Sequence, residues 1–213
     1  MKPYIEPLIL YLVLFLRFSL GITALEDPAE FSANAEITRI IVYILPSLAL
    51  VWYLLLKAKR LKEWDIGFPH KKDFFSVFLA FPAMVLIGIT ISQVSLYFGM
   101  QPDGIRPLPP QSAASWALLG FSSIGGAYLE ESYFRFYLLS KQEEMGLGPH
   151  RAVLLSTVLF SLCHIYQGPW GFLNSALSGV TLAFLFLRFR SLHGLACAHA
   201  LHNIMVYILG SFR

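Results

Sequence analysis

The sequence predicts an all-α, polytopic transmembrane helix bundle, and three observations carry that reading. Of 213 residues, 56% are hydrophobic and only 14% charged, against about 25% charged in an ordinary soluble domain. Mean hydropathy is +0.62, so lipid rather than water solvates much of the surface. The apolar residues gather into runs near the roughly 20 residues that a spanning helix needs. They lack the alternation, over about ten residues, of a barrel strand, and only helices or closed barrels satisfy their backbone groups in lipid.

Seven segments qualify, at 4–25, 37–56, 74–98, 115–140, 152–167, 171–187 and 192–210. The expectation is about seven spans, with six to eight compatible with the boundaries. The first reads as a retained span rather than a cleaved signal, because Arg17 interrupts its apolar run and only Lys2 precedes it. The second begins after a connection carrying Glu26, Asp27, Glu30 and Glu36 and no Lys or Arg. Before the third stand Lys57, Lys59, Arg60, Lys62, Lys71 and Lys72. A Pro-rich connection at 99–112, with Arg106 as its one basic residue, leads to the fourth. Lys141 and Arg151 bracket the next connection, Gly168-Pro169 marks a turn, and Arg188 and Arg190 precede the seventh segment. The basic connections belong on the cytoplasmic side. That places the N-terminus in the cytoplasm and, after seven spans, Arg213 outside. The whole chain reads as one integral membrane domain in the cell membrane, with a catalytic core at about 115–210.

Composition also excludes some functions. The net charge of +3 is small and scattered, which leaves no electrostatic footprint for nucleic acid. Cys163 and Cys197 lie in apolar runs without CxxC spacing, against a disulfide framework or a four-thiolate zinc site.

Ionisable residues inside a span are costly and mark a functional site by default. Segment four holds Glu130, Glu131 and Arg135, segment five His164, and segment seven His199 and Asn203. Residues i and i+4 share a helix face, whereas neighbours diverge by about 100°. Glu131 and Arg135 therefore form an ion pair along one face, and Glu130 projects elsewhere without that partner. His199 and Asn203 share a face. Measured from Lys141, Arg151 and Arg190 at about 1.5 Å per residue, Glu130 lies about 16 Å deep, His164 about 20 Å, His199 about 14 Å and Asn203 about 20 Å. Three helices thus bring polar groups to one middle layer of a hydrocarbon core about 30 Å thick.

Those groups suffice for hydrolysing an amide without a covalent nucleophile. A buried, unpaired carboxylate is a plausible general base. A histidine helps to hold the water, and an imidazole N–H with an asparagine amide stabilises an oxyanion. Cys163 points about 100° away from His164, which makes a Cys/His dyad weak. A zinc site of Glu130, His164 and His199 is the alternative chemistry. The one-helix HExxH signature is absent, however, and Asn203 is a poor zinc ligand. Neither a metal nor another cofactor is expected.

EExxxR at Glu130–Arg135, FxxxH at Phe160–His164 and HxxxN at His199–Asn203 together resemble the CPBP family, which joins CAAX prenyl proteases with bacteriocin-processing enzymes. The resemblance implies a glutamic intramembrane endopeptidase. It implies Glu130 and His164 as water activators, His199 and Asn203 as the oxyanion pair, and Glu131 and Arg135 in support. It also implies a membrane-anchored or lipid-associated protein or peptide as substrate. Two other classes compete: a catalytically silent scaffold or bacteriocin-immunity protein, and a small proton-coupled transporter.

Simpler readings hold for the remaining polar residues. His202 reads as a packing histidine and His193 as interfacial. Tyr166, Gln167 and Trp170 form an aromatic belt or line substrate access. Ser175, Ala176, Ser178 and Gly179 permit close helix packing. Arg17 either snorkels or pairs with Glu6.

Overall fold

A computed structural model describes residues 2–20, 31–58, 69–100 and 108–210. Within them the chain forms seven helices and no strand. The topological residues Glu26, Asp27, Glu30, Lys59, Arg60, Lys62, Arg106 and Arg213 lie outside the described residues, as does 21–25 of the first predicted span.

Helix α1 spans Ile5–Ser19. Helix α2 spans Ala33–Lys57 and starts where Ser32 Oγ accepts the Ala35 N–H at 3.3 Å. Over Arg39–Ile44 its turns widen to five-residue hydrogen-bond spacing. Pro46 follows after Leu45; it offers no N–H and crowds the carbonyl four residues back, at Val42, and a wide turn absorbs that conflict. Helix α3, Lys71–Tyr97, opens on a capping box in which the His70 N–H donates to Asp73 at 2.5 Å.

Helix α4, residues 113–140, is continuous but changes character. Ser112 caps it, Ala113–Glu130 is regular, and Glu131–Tyr137 forms a second wide stretch. Helix α5, Pro149–Leu162, is short; a 3-10 turn at Ile165–Gln167 links it to α6, Gly168–Phe189. Helix α7 is Leu192–Gly210.

Four described helical segments are long and apolar enough to cross a membrane: Ala33–Lys57, Lys71–Tyr97, Ile165–Phe189 and Leu192–Leu209. Helix α4 carries Glu130, Glu131 and Arg135 along its length. With 15 and 14 residues, α1 and α5 are about 22 Å and 21 Å long, short of the hydrocarbon core.

The polarity of the bundle is that of a membrane protein. Val13, Val42, Phe75, Leu86, Phe121 and Leu154 are exposed on its perimeter, while Glu131, Arg135, Ser122, Ser156 and His199 are buried. A perimeter this apolar matches hydrocarbon, and the polar interior has to be satisfied from within. Helix α7 packs against α3 and α4, α6 against α3 and α5, and α2 against α4. Phe15, Tyr133, Phe134 and Phe160 form an aromatic seam where α1, α4 and α5 meet. A Cβ on Gly179 would lie 3.1 Å from Phe160, so the small-residue face of α6 does serve close packing against α5.

Arg17 is exposed, and it does not pair with Glu6 among the described residues. Its guanidinium lies 4.4 Å from the Phe18 ring centroid and 4.1 Å from that of Tyr43. Glu6 instead accepts from Lys141 Nζ and the Tyr137 hydroxyl, both at 2.6 Å. The reason is distance: eleven residues separate Glu6 from Arg17 in one helix, about 16 Å along the axis.

Candidate active site

Helix α4 delivers two adjacent carboxylates at the point where its turns widen. Glu131 and Arg135 are fully buried, and Arg135 Nε faces Glu131 Oε2 at 3.2 Å. The pair is held from outside as well. Arg135 Nη1 donates to Ser156 Oγ at 3.3 Å, and that hydroxyl donates to the Phe134 carbonyl at 2.6 Å. The Phe160 ring centroid lies 4.6 Å from the guanidinium. An unpaired charge here would carry a penalty of several kcal/mol, so each partner fixes the other.

His199 on α7 inserts between the two carboxylates. Its Nδ1 meets Glu131 Oε1 at 2.9 Å, and its Nε2 faces Glu130 Oε2 at 3.7 Å. The spacing rule separates the glutamates correctly but does not show this contact. The two nitrogens of an imidazole point in different directions, so one ring can meet two diverging neighbours. Glu131 thus has a second task, holding His199, which the sequence did not disclose. The two carboxylates also differ in access: the Glu130 side chain is 28% exposed and Glu131 is closed off.

His164 sits beyond the end of α5 rather than inside it. The helix ends at Leu162, and a turn carries His164 into the 3-10 segment. The Phe160 carbonyl still takes its Nδ1 at 2.9 Å, so the FxxxH spacing survives the change of backbone. Glu130, His199 and Arg135 are all electrostatic neighbours of His164. Phe160 packs between the two imidazoles, with centroids 4.7 Å from His164 and 6.0 Å from His199.

Asn203 stands one turn beyond His199 on α7 and interacts with its neighbour His202. Among the described residues it forms no hydrogen bond to Glu130, His164 or His199. Tyr166, read as part of a belt, stacks on His164 at 6.4 Å and 22° and receives a hydrogen bond from Gln167. His193 bonds the Tyr128 hydroxyl at 2.9 Å. Gly168 takes φ +77 and so makes the expected turn.

The N-terminal half also reaches this centre, which the sequence did not foretell. Tyr43 of α2 has Glu130 and Arg17 as electrostatic neighbours. Tyr11 of α1 bonds the Leu159 carbonyl at 3.1 Å, and Cys163 Sγ lies 3.6 Å from the same hydroxyl. Nothing in a run of apolar residues distinguishes such a tyrosine from a packing one.

Chemically, the centre offers one accessible carboxylate, one imidazole fixed by a buried carboxylate, and a second imidazole at a helix end. Among the described residues, no three of the His, Cys, Asp and Glu side chains converge as a metal ion requires.

No curated protein and no solved structure matches the chain. Residues 112–205 match a family model described as type II CAAX prenyl endopeptidase Rce1-like. That interval runs from the cap of α4 into α7 and contains Glu130, Glu131, Arg135, His164, His199 and Asn203. Over residues 112–205, a little under half of the chain, the sequence is similar to this family of prenyl endopeptidases.

Proposed function

We propose that the chain hydrolyses a peptide bond in a membrane-associated protein or peptide, using a water activated by Glu130 and His164. The observation that supports this most is the unequal treatment of two neighbouring carboxylates. Glu131 is buried against Arg135 and His199. Glu130 keeps 28% of its side chain accessible, and its buried Oε2 has no hydrogen-bond partner among the described residues. A general base must reach water; the Glu130 side chain keeps that access, whereas Glu131 is closed off and committed to Arg135 and His199.

In this reading Glu130 takes a proton as water attacks the carbonyl carbon. The carbonyl oxygen becomes the oxyanion, and the C–N bond then breaks as Glu130 returns the proton to the leaving amine. His199 gives its Nδ1–H to Glu131, so it is the imidazolium form that carries the second N–H, at Nε2, with which it can serve the oxyanion. Asn203 supplies an amide donor from the next turn of α7. Glu131 and Arg135 position His199 and do not touch the substrate. No cofactor takes part. The N-terminus lies in the cytoplasm, as the basic connections require.

The family description names CAAX prenyl substrates. A prenylated C-terminal peptide is therefore the first substrate to try, and peptides processed for secretion are the second. Purified protein should cleave such a peptide, and Glu130→Gln protein should not. Proton-coupled flux in liposomes without cleavage would support a transporter instead. An inert protein in both assays would support a scaffold.

A further inference from the structure

We infer that Arg39 binds the C-terminal carboxylate of the substrate and so sets how far from the chain end the bond is cut; this rests on the peptidase reading above. Arg39 begins the wide stretch of α2, outside the interval that matches the family model. It lies against α4 one turn before Glu130. A Cβ on Gly126 would come within 3.2 Å of Arg39 Nη2, and one on Gly125 within 2.8 Å of Ile44. The glycine pair lets α2 approach α4 at that height, and any side chain at 126 would push the guanidinium away. Gly126 and Glu130 are separated by about 6 Å along the helix axis.

One edge of Arg39 is already fixed. Its Nη1 reaches both Glu36 oxygens, at 3.2 and 3.4 Å, and Glu36 in turn accepts a hydrogen bond from Ser122 of α4. Nη2 meets no acceptor among the described residues. The Arg39 side chain is 41% exposed. A guanidinium has five N–H donors and takes carboxylates edge-on, so a second carboxylate can dock on the open edge. Of the other arginines near the centre, Arg135 is spent on Glu131 in full burial, and the guanidinium of Arg17 is stacked with Phe18 and Tyr43. Tyr43 and Tyr166 are electrostatic neighbours of both Glu130 and Arg39, which places the two charges in one region of the bundle.

The spacing fits a C-terminal motif. An extended chain advances about 3.3–3.6 Å per residue. Any bond within a four-residue C-terminal motif therefore has the α-carboxylate at most about 10 Å beyond it. A cation one helical turn from the general base matches that range. An internal peptide segment brings no such anion, so Arg39 would favour chain ends over loops.

The test uses a fluorescent, farnesylated peptide ending in a CAAX motif, as free acid and as C-terminal amide. Binding to the full-length Glu130→Gln protein in detergent is read by anisotropy, so that nothing is cut. The acid should bind about tenfold or more tightly than the amide. Adding Arg39→Gln should remove that preference by weakening the acid alone, and Arg39→Lys should keep part of it. Equal binding of acid and amide to protein with Arg39 intact overturns the inference. So does a preference that survives Arg39→Gln, or loss of both peptides in the Gln and Lys variants alike. Cleavage by the wild-type protein is measured separately. A peptide bound with an Arg39-dependent preference yet left uncut would remove the peptidase reading and leave the carboxylate site standing.

Discussion

The imidazole of His199 lies between two adjacent carboxylates, 2.9 Å from Glu131 through Nδ1 and 3.7 Å from Glu130 through Nε2. One residue of α7 therefore joins the buried, structural half of the EExxxR motif to its accessible half. The consequences differ for each member, and they can be measured.

Glu131 should matter first for folding. Glu131→Ala leaves Arg135 buried and unpaired, at about 3–5 kcal/mol. A lower yield and a lower melting temperature in detergent are expected. Glu131→Ala with Arg135→Met should regain stability, because the orphaned charge is gone, but should not regain cleavage, because His199 has lost its anchor. A double variant as unstable as the single one would contradict this ion-pair account.

Ser156 should behave as a smaller version of the same effect. Ser156→Ala removes the acceptor of Arg135 Nη1, and an unmet buried donor costs about 1–3 kcal/mol. Thermal denaturation should show the loss, with the cleavage rate of the folded fraction nearly unchanged.

The proposed oxyanion donors should act on the rate. His199→Ala and Asn203→Ala should each lower kcat by about 10²–10³, as single donors do in other hydrolases, with little change in KM. Asn203→Ala should be the milder, because Asn203 forms no hydrogen bond within the described cluster. Steady-state kinetics on one peptide decide this, and a change confined to KM would remove the assignment.

The proposed chemistry runs without metal. Protein treated with a strong chelator and shown to be metal-free should cleave at the untreated rate. Activity lost with zinc and restored by zinc alone would recast Glu130, His164 and His199 as ligands.

Sidedness follows from the charge pattern. In protein lacking Cys163 and Cys197, a cysteine at Lys57 or Lys72 should react only with reagents on the cytoplasmic side. A cysteine at Asn34 should react only from the other side. Labelling of positions 34 and 57 from one side would mean that α2 does not cross.

Much of this architecture was legible in the chain because lipid leaves few choices. Runs of apolar residues had to be helices, and the predicted 37–56, 74–98 and 192–210 became Ala33–Lys57, Lys71–Tyr97 and Leu192–Gly210. The Glu131–Arg135 pair followed from i and i+4 spacing. Contacts between helices did not follow. The Glu131–His199 bond and the Arg17 stack depend on how α4, α7, α1 and α2 are rotated against each other, which spacing within one helix cannot fix. The position of His164 was missed for another reason. Its hydrogen bond to the Phe160 carbonyl imitates a helical register across a turn, so the motif looks continuous where the helix has ended.

The central claim is that Glu130 is the base, and the direct measurement is the single-turnover cleavage rate of Glu130→Gln protein on a farnesylated CAAX peptide. Folding is checked by melting temperature, and binding by anisotropy. The substitution keeps the size of the side chain and removes the proton acceptor. The account predicts an unchanged fold, near-normal binding and a cleavage rate lower by at least about 10². Cleavage at the wild-type rate by folded Glu130→Gln protein would contradict it.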